Sequence, residues 1–266
     1  MNTTTSARSI SILHYPQRGR DGLSCWIAQP ERLNPALPPL VAIHGLHRGA
    51  RAQANLLATE AIATGRTVIA PLFSEERWPR FQQVVRRDRA DLALISLLAD
   101  LRLAGLCEGA TIDLAGYSAG AQFAHRFAML YPHLISRLHV TAAGWYTFPD
   151  SAPFPYGIGP GDAPRESWAG RLNSGLDAFA ALPIRVHVGV RDTIVDEHTR
   201  SGPEIDAQQG RSRLDRARNW VAAIKAQAEA RGIQPDISLN VIDGCGHDFT
   251  SCVRIGGLDR LLCAPA

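Results

Sequence analysis

The sequence has no run approaching the roughly 20 consecutive apolar residues that a bilayer-spanning helix needs, so contact with a membrane is not expected. Residues 1–11 are polar and lack the basic, apolar and small-residue sections of a signal peptide, which makes a cytoplasmic protein the expectation. Lysine is nearly missing. Lys225 is the single lysine among 28 basic residues, and the arginines are spread along the chain instead of forming a block or stripe. Against 25 acidic residues they leave a formal charge of only +3, so nucleic acid is not expected as a partner. Coding bias explains the arginine preference at this level, and no function is drawn from it.

Cysteine is also scarce. The five residues Cys25, Cys107, Cys245, Cys252 and Cys263 are odd in number and show no CxxC spacing, which argues against a zinc site and against a complete disulfide framework. Buried thiols are the expectation, with a local bridge between Cys245 and Cys252 left open because the two bracket His247. There is no P-loop, and Gly157 Ile158 Gly159 Pro160 Gly161 lacks the spacing and the preceding strand of a dinucleotide site. Neither His44 with His47 nor His247 with Asp248 belongs to an HExxH helix or another metal-ligand set. The reading is therefore of a protein without metal or cofactor.

What is present suits a globular chain: 266 residues, 45% hydrophobic, 20% charged and 7% aromatic. That length fits one large core better than two small ones, so residues 1–266 are read as a single domain. Apolar and β-branched runs of strand length fall at Ser9–His14, Leu23–Ala28, Leu40–His44, Thr67–Pro71, Thr111–Gly116, Leu138–Ala143, Ile184–Val190 and Ile237–Ile242. Helical spacing occupies Ala52–Ala63, Phe81–Leu103, Gly120–Leu130, Leu172–Ala181, Ser212–Ala230 and Gly256–Leu262. The first two strands are close enough to pair as an antiparallel hairpin around Gly19–Gly22, whereas the later ones need crossovers and should be parallel and buried. The fold class is thus α/β, a mostly parallel eight-stranded sheet with helices on both faces.

The span Trp145–Ser174 breaks the rhythm. It gathers prolines, glycines and aromatic residues after the sixth strand, as a short cap or long loop would. Trp145, Tyr146, Phe148, Phe154 and Tyr156 in this span suit the wall of an apolar substrate pocket.

Chemistry is concentrated at three strand ends. Thr111–Ala115 runs into Gly116 Tyr117 Ser118 Ala119 Gly120 and then into a helical pattern, the strand–turn–helix setting in which GxSxG exposes a strained serine. A serine hydroxyl needs a base within hydrogen-bond reach, and His247, in the segment Gly244 Cys245 Gly246 His247 Asp248 Phe249 after the last strand, is the best placed of the histidines. Asp192, at the end of the Ile184–Val190 strand, is the preferred acid to orient it, with Asp196 as the rival. Two amide donors are needed for a tetrahedral oxyanion. Ala119 is assigned as one and Leu46, in the loop His44–Gly49, as the other, with His47 as the alternative; His44 is read as a brace for that loop.

The order Ser118, Asp192, His247 and the His44–Gly45 loop resemble an α/β-hydrolase fold serine hydrolase from about Leu40 to Leu262. The His44 Gly45 Leu46 loop is similar to that of small carboxylesterases and acyl thioesterases, and Gly120–Ala124 is similar to the polyhydroxyalkanoate depolymerase and feruloyl esterase branch. Secreted members of that branch carry signal peptides and disulfides, a departure that counts against polymer or cell-wall substrates. The resemblance implies hydrolysis of a small-molecule carboxylic ester through an acyl-enzyme. The same triad serves thioesters, lactones, amides, carbon–carbon bonds and acyl transfer, and a ligand-binding protein that keeps the fold without turnover is the alternative outside enzymes.

Overall fold

The computed structural model describes residues 10–85, 88–160, 168–196 and 199–265. Ser9 of the first expected strand, residues 86–87 of the second expected helix and residues 161–167 of the expected cap lie outside them. Strands β1 (Ile10–Tyr15), β2 (Ser24–Pro30), β3 (Leu40–Ile43), β4 (Val68–Leu72), β5 (Ile112–Tyr117), β6 (Ile135–Thr141), β7 (Ile184–Gly189) and β8 (Ile237–Ile242) form one sheet in the order β1-β2-β4-β3-β5-β6-β7-β8. β1 is antiparallel to β2 and β2 to β4, and every later pairing is parallel.

Strand residues alternate between two apolar layers, as a period of two requires. On β3, Val41 and Ile43 join the core beneath helices α2 (Ala90–Leu103), α3 (Ala119–Leu130) and α7 (Arg213–Ala230). Leu40 and Ala42 point the other way, toward α1 (Ala50–Thr64), α8 (Phe249–Arg254) and α9 (Leu258–Cys263). A central strand buried on both faces fixes the sheet against slippage, because a shift of one residue would exchange the layers.

Several helices differ from their sequence expectation. The spacing over Phe81–Leu103 resolves into a 3₁₀ turn, Phe81–Gln83, and a helix that begins only at Ala90. Val84 and Arg89 have φ of 58° and 51°, which interrupts helical propagation, while Phe81 and Val84 still reach the core from irregular chain. The expected Leu172–Ala181 helix is two short ones, α4 (Trp168–Ser174) and α5 (Leu176–Ala180). α6 (Pro203–Gln209) and α8 are too short to register as a helical period. Ser212 caps α7 in a reciprocal capping box with Asp215, so the helix proper starts at Arg213.

Among the described residues four histidines are buried within this frame: His44, His125, His139 and His187. His125 donates from Nδ1 to the Ala121 carbonyl at 2.8 Å and accepts at Nε2 from the Thr147 N–H at 3.0 Å, which leaves it neutral. His139 and His187 share a 3.1 Å hydrogen bond between neighbouring strands. Burial lowers the pKa of His44 and of His187 to about 4 and holds His125 and His139 well below the usual range. Each therefore binds its proton more readily in the unfolded chain, and stability present above the unfolded value is lost as pH falls toward the folded one. Buried Asp113, whose pKa is raised by burial against the pull of Arg66 and Arg137, opposes this trend singly. Each histidine contributes about 1.4 kcal/mol per pH unit between its two values. We expect the urea midpoint to fall steadily from pH 7 to pH 5; a flat midpoint over that range would contradict neutral burial of these rings.

Candidate active site

Ser118 stands at the turn between β5 and α3 with φ 55° and ψ −113°, a conformation costly for a residue with a side chain. Close packing holds it there. The Ser118 N–H donates to the Thr141 carbonyl at 2.9 Å, and the Gln122 N–H donates to the Ser118 carbonyl at 3.2 Å. A Cβ on Gly116 would overlap the Gly120 carbonyl, and a Cβ on Gly120 would overlap the carbonyl oxygens of Ile43 and His44. Both glycines are thus required by the approach of α3 to β3 and β5.

His247 follows β8 and precedes Asp248, whose side chain caps α8 by accepting from the Ser251 N–H at 2.6 Å. Those bonds lower the Asp248 pKa and direct its carboxylate into the helix terminus. The imidazole reaches Asp192 at 2.8 Å through Nδ1 and Ser118 at 3.1 Å through Nε2. A carboxylate can only accept, so Nδ1 carries the proton and Nε2 is free to accept from the serine hydroxyl. Tyr117 stacks on this ring at 5.2 Å and 24°, and Phe249 meets Tyr117 edge-on at 5.3 Å.

Asp192 is almost fully buried, in the turn after β7 that the Asp192 N–H closes on the Gly189 carbonyl at 3.0 Å. Its second oxygen, Oδ1, lies 3.3 Å from Arg213 Nη1. Asp196, the rival acid, does not meet His247. It pairs with the far side of Arg213 at 3.2 Å and with Thr199 at 2.8 Å. Arg213 itself carries no signal in the sequence, because its partners are set by where α7 begins against the β7 loop.

Ala119 is the first residue of α3, one of the helix positions whose N–H has no partner inside the helix. Leu46 and its alternative His47 both line the cavity that contains Ser118. The loop bearing them is braced from two sides. His44 donates from Nδ1 to the Gly45 carbonyl at 2.8 Å and accepts at Nε2 from the Phe73 N–H at 3.0 Å, a neutral bridge between two loops. The Arg48 guanidinium donates to the carbonyls of Phe73 at 2.7 Å and Trp78 at 3.1 Å while lying over the Phe81 ring. Arg48 also escaped sequence reasoning, since nothing local marks an arginine as a loop clamp.

The cavity at Ser118 encloses about 300 Å³, walled by Leu46, Leu56, Tyr117 and Phe249 with His47, Gln53 and Thr250 among its polar members. Trp145, Tyr146, Phe148, Phe154 and Tyr156 are absent from this wall, which corrects the expectation placed on them. Tyr146 is completely buried and stacks on Trp220 at 4.8 Å, and Phe148 belongs to the main core. Trp145 packs between the Arg126 guanidinium at 4.1 Å and the Tyr156 ring at 5.0 Å, while Phe154 packs on the core from outside. Tyr156 faces a separate recess with Arg200 and Gln208. The backbone of this segment is tied inward: Gln209 bonds both the N–H and the carbonyl of Tyr146 at 2.9 Å, and Trp220 Nε1 donates to the Thr147 carbonyl at 2.9 Å. Aromatic content in a loop signalled a pocket, but Tyr146 and Phe148 complete the core, Tyr146 against His125 of α3 and Trp220 of α7.

Cys245 and Cys252 are unbridged buried thiols, with burial first among the causes that push Cys252 up to about 12. Among the described residues no group of three His, Cys, Asp or Glu side chains is placed to hold a metal ion, and no helix is long and apolar enough to cross a membrane.

No protein-family model and no curated protein matches the sequence. Solved structures do. A poly(aspartic acid) hydrolase-1 from Sphingomonas sp. KT-1 superposes with a TM-score of 0.78 at 25% identity, covering 96% of this chain and 98% of that one. LpqC, a poly(3-hydroxybutyrate) depolymerase from Bordetella parapertussis, gives 0.76 at 25% identity over 95% and 89% of the two chains. An S-formylglutathione hydrolase from Agrobacterium tumefaciens gives 0.60 at 14% identity over 98% and 96%, a likeness of fold. The chain has the α/β-hydrolase fold.

The packing at the serine turn is directly testable. Gly120→Ala should lower folding stability by about 1–3 kcal/mol, the usual range for overpacking a filled site. Gly49→Ala is the control, since its nearest neighbour, Ala52 Cβ, is 3.9 Å away. Chemical denaturation showing the two variants equally stable would refute the steric account.

Proposed function

We propose that this protein is a serine hydrolase that cleaves carboxylic esters through an acyl-enzyme. Ser118 Oγ attacks the ester carbonyl as His247 Nε2 takes its proton. The oxyanion of the tetrahedral intermediate accepts from the N–H groups of Ala119 and Leu46. His247 then gives the proton to the departing alcohol, and water, deprotonated by the same nitrogen, releases the acid and restores the serine. Asp192 keeps the imidazole in the required tautomer and stabilises its charged form.

The reading is carried by one observation: hydrogen bonds of 2.8 and 3.1 Å linking Asp192, His247 and Ser118 from three distant parts of the chain, with Ser118 and His247 on the wall of one cavity. A cavity of about 300 Å³ with Leu46, Leu56 and Phe249 on its wall suits a small apolar acyl or alcohol group. A second reading, cleavage within a polymer chain, is favoured by the two structures of 25% identity, whose names describe a poly(aspartic acid) hydrolase and a poly(3-hydroxybutyrate) depolymerase. Thioesters, lactones, amides, carbon–carbon bonds and acyl transfer remain within reach of the same nucleophile, and a substrate panel separates them.

A fluorophosphonate probe should label the wild-type protein and fail to label Ser118→Ala. Folded wild-type protein that resists labelling would favour the ligand-binding alternative over the enzyme. Asp192→Asn should lower kcat by about 10⁴, as the equivalent change does in a serine protease triad, and Asp196→Asn by far less; the reverse order would transfer the acid's role to Asp196.

A further inference from the structure

We propose that Arg213 is a positioning residue for the acid of the triad, a buried cation that holds Asp192 in register with His247 while Asp196 shares its charge. This rests on the reading of Ser118, His247 and Asp192 as the reacting group. Each Asp192 oxygen has one charged or polarisable partner: Oδ2 accepts from His247 at 2.8 Å and Oδ1 from Arg213 at 3.3 Å. The two contacts together fix the rotation of the carboxylate, which a single hydrogen bond would leave loose. Arg213 reaches Asp196 with Nη2 at 3.2 Å and with Nη1 at 3.4 Å, so one guanidinium spans both acids.

The position is an expensive one for a cation. Arg213 is the first residue of α7, where the helix dipole disfavours positive charge, and its side chain is only 2% exposed. Packing alone would be better served there by an apolar side chain. The capping box of Ser212 and Asp215 sets where the helix begins, and the Leu214 N–H donates to the Asp192 carbonyl at 3.2 Å, so the helix start grips the acid's backbone as well as its side chain. The Arg213–Asp192 distance exceeds the roughly 2.7–2.9 Å of a full charge-assisted bond. Asp196, with its side chain 38% exposed, draws part of the guanidinium's charge away. The guanidinium thereby orients the Asp192 carboxylate in a buried site while its own charge is divided between two acids.

Among the described residues the groups facing Asp192 and His247 are Tyr117 from β5, Tyr146 from the segment after β6, Arg213 from α7, Asp248 at the cap of α8 and Cys252 within it, with exposed Arg191 preceding the acid. Burial raises the pKa of Tyr117, Tyr146 and Cys252 and keeps them neutral. Among the described residues Arg213, Asp196, Asp248 and Arg191 are the charged neighbours, and of these Arg213 pairs with Asp192 from within the core.

The test reads the His247 ring by NMR titration, independently of turnover, beside kcat and KM for a p-nitrophenyl ester as functions of pH. Removing a positive charge beside the carboxylate favours the imidazolium, so Arg213→Met and Arg213→Gln should raise the His247 midpoint by about one pH unit. The acid limb of kcat/KM should move with it, kcat should fall about tenfold or more with KM little changed, and Arg213→Lys should restore most of the shift. An unmoved His247 midpoint in a folded uncharged variant overturns the proposal, as does equal loss in Arg213→Lys and Arg213→Met. If neither uncharged variant folds, Asp196→Asn is read instead: concentrating the guanidinium's charge on Asp192 should lower the His247 midpoint, and no movement overturns the proposal. A wild-type protein that hydrolyses no ester and takes no fluorophosphonate would defeat the hydrolase reading, while the ring titration would still decide the Arg213–Asp192–His247 coupling.

Discussion

The site depends first on how closely the start of α3 approaches the ends of β3 and β5. Only with hydrogen at Gly116 and Gly120 can the helix backbone lie against the Ile43 and His44 carbonyls, and that contact helps to hold Ser118 at a positive φ. The strain in the turn is small beside the packing and hydrogen bonds that enforce it, among them the Ser118 N–H to Thr141. If the approach were relaxed, the serine would settle into an ordinary helical conformation and its hydroxyl would leave the imidazole.

Parallel register then carries the effect across the sheet. β5, β6, β7 and β8 pair in sequence order, so their C-terminal ends form one edge, from which the loops bearing Ser118, Asp192 and His247 emerge. Parallel strands need long crossovers, which is why residues meeting at 3 Å are far apart in the chain. The His44–Gly49 loop at the end of β3 joins them from the other side of β5. Its rigidity comes from a neutral histidine and a clamped arginine, whose bonds to Phe73 and Trp78 tie it to the loop after β4.

Sequence made the strands and the serine and histidine motifs legible because each combines a local constraint with a period: glycine where backbones touch, apolar runs where strands are buried. The acid was legible only to within one turn, since both Asp192 and Asp196 follow β7 and burial selects between them. Trp145, Tyr146 and Phe148 misled for a physical reason. A proline- and glycine-rich segment full of rings has the composition of a pocket wall, yet its N–H groups donate to Gln209 and His125 and its Thr147 carbonyl accepts from Trp220, which lets the rings turn inward. The helix expected from Phe81 failed likewise, its apolar spacing being met by a 3₁₀ turn at Phe81–Gln83 and a helix that starts only at Ala90.

Arginine, set aside in the sequence as a coding preference, has a structural explanation at several positions. Arg66, Arg126, Arg213 and Arg216 are among the largest fully buried side chains, and each has partners that a planar fork reaches and a lysine ammonium would not. Arg66 pairs with Asp113 at 2.7 Å and also reaches the Leu262 carbonyl at 3.4 Å. Arg126 has no carboxylate partner among the described residues. It donates to Thr147 Oγ1 at 2.9 Å and to the Gln82 carbonyl at 2.7 Å, and burial lowers its pKa to about 9. Such cations join segments distant in sequence, which a point charge on a flexible stem does less well. Arg213 differs from them in what it joins: its partners are Asp192, which bonds His247, and Asp196 beside it. The same geometric property that makes arginine a structural rivet elsewhere in the fold therefore gives it, at this one position, a hold on the carboxylate that meets His247.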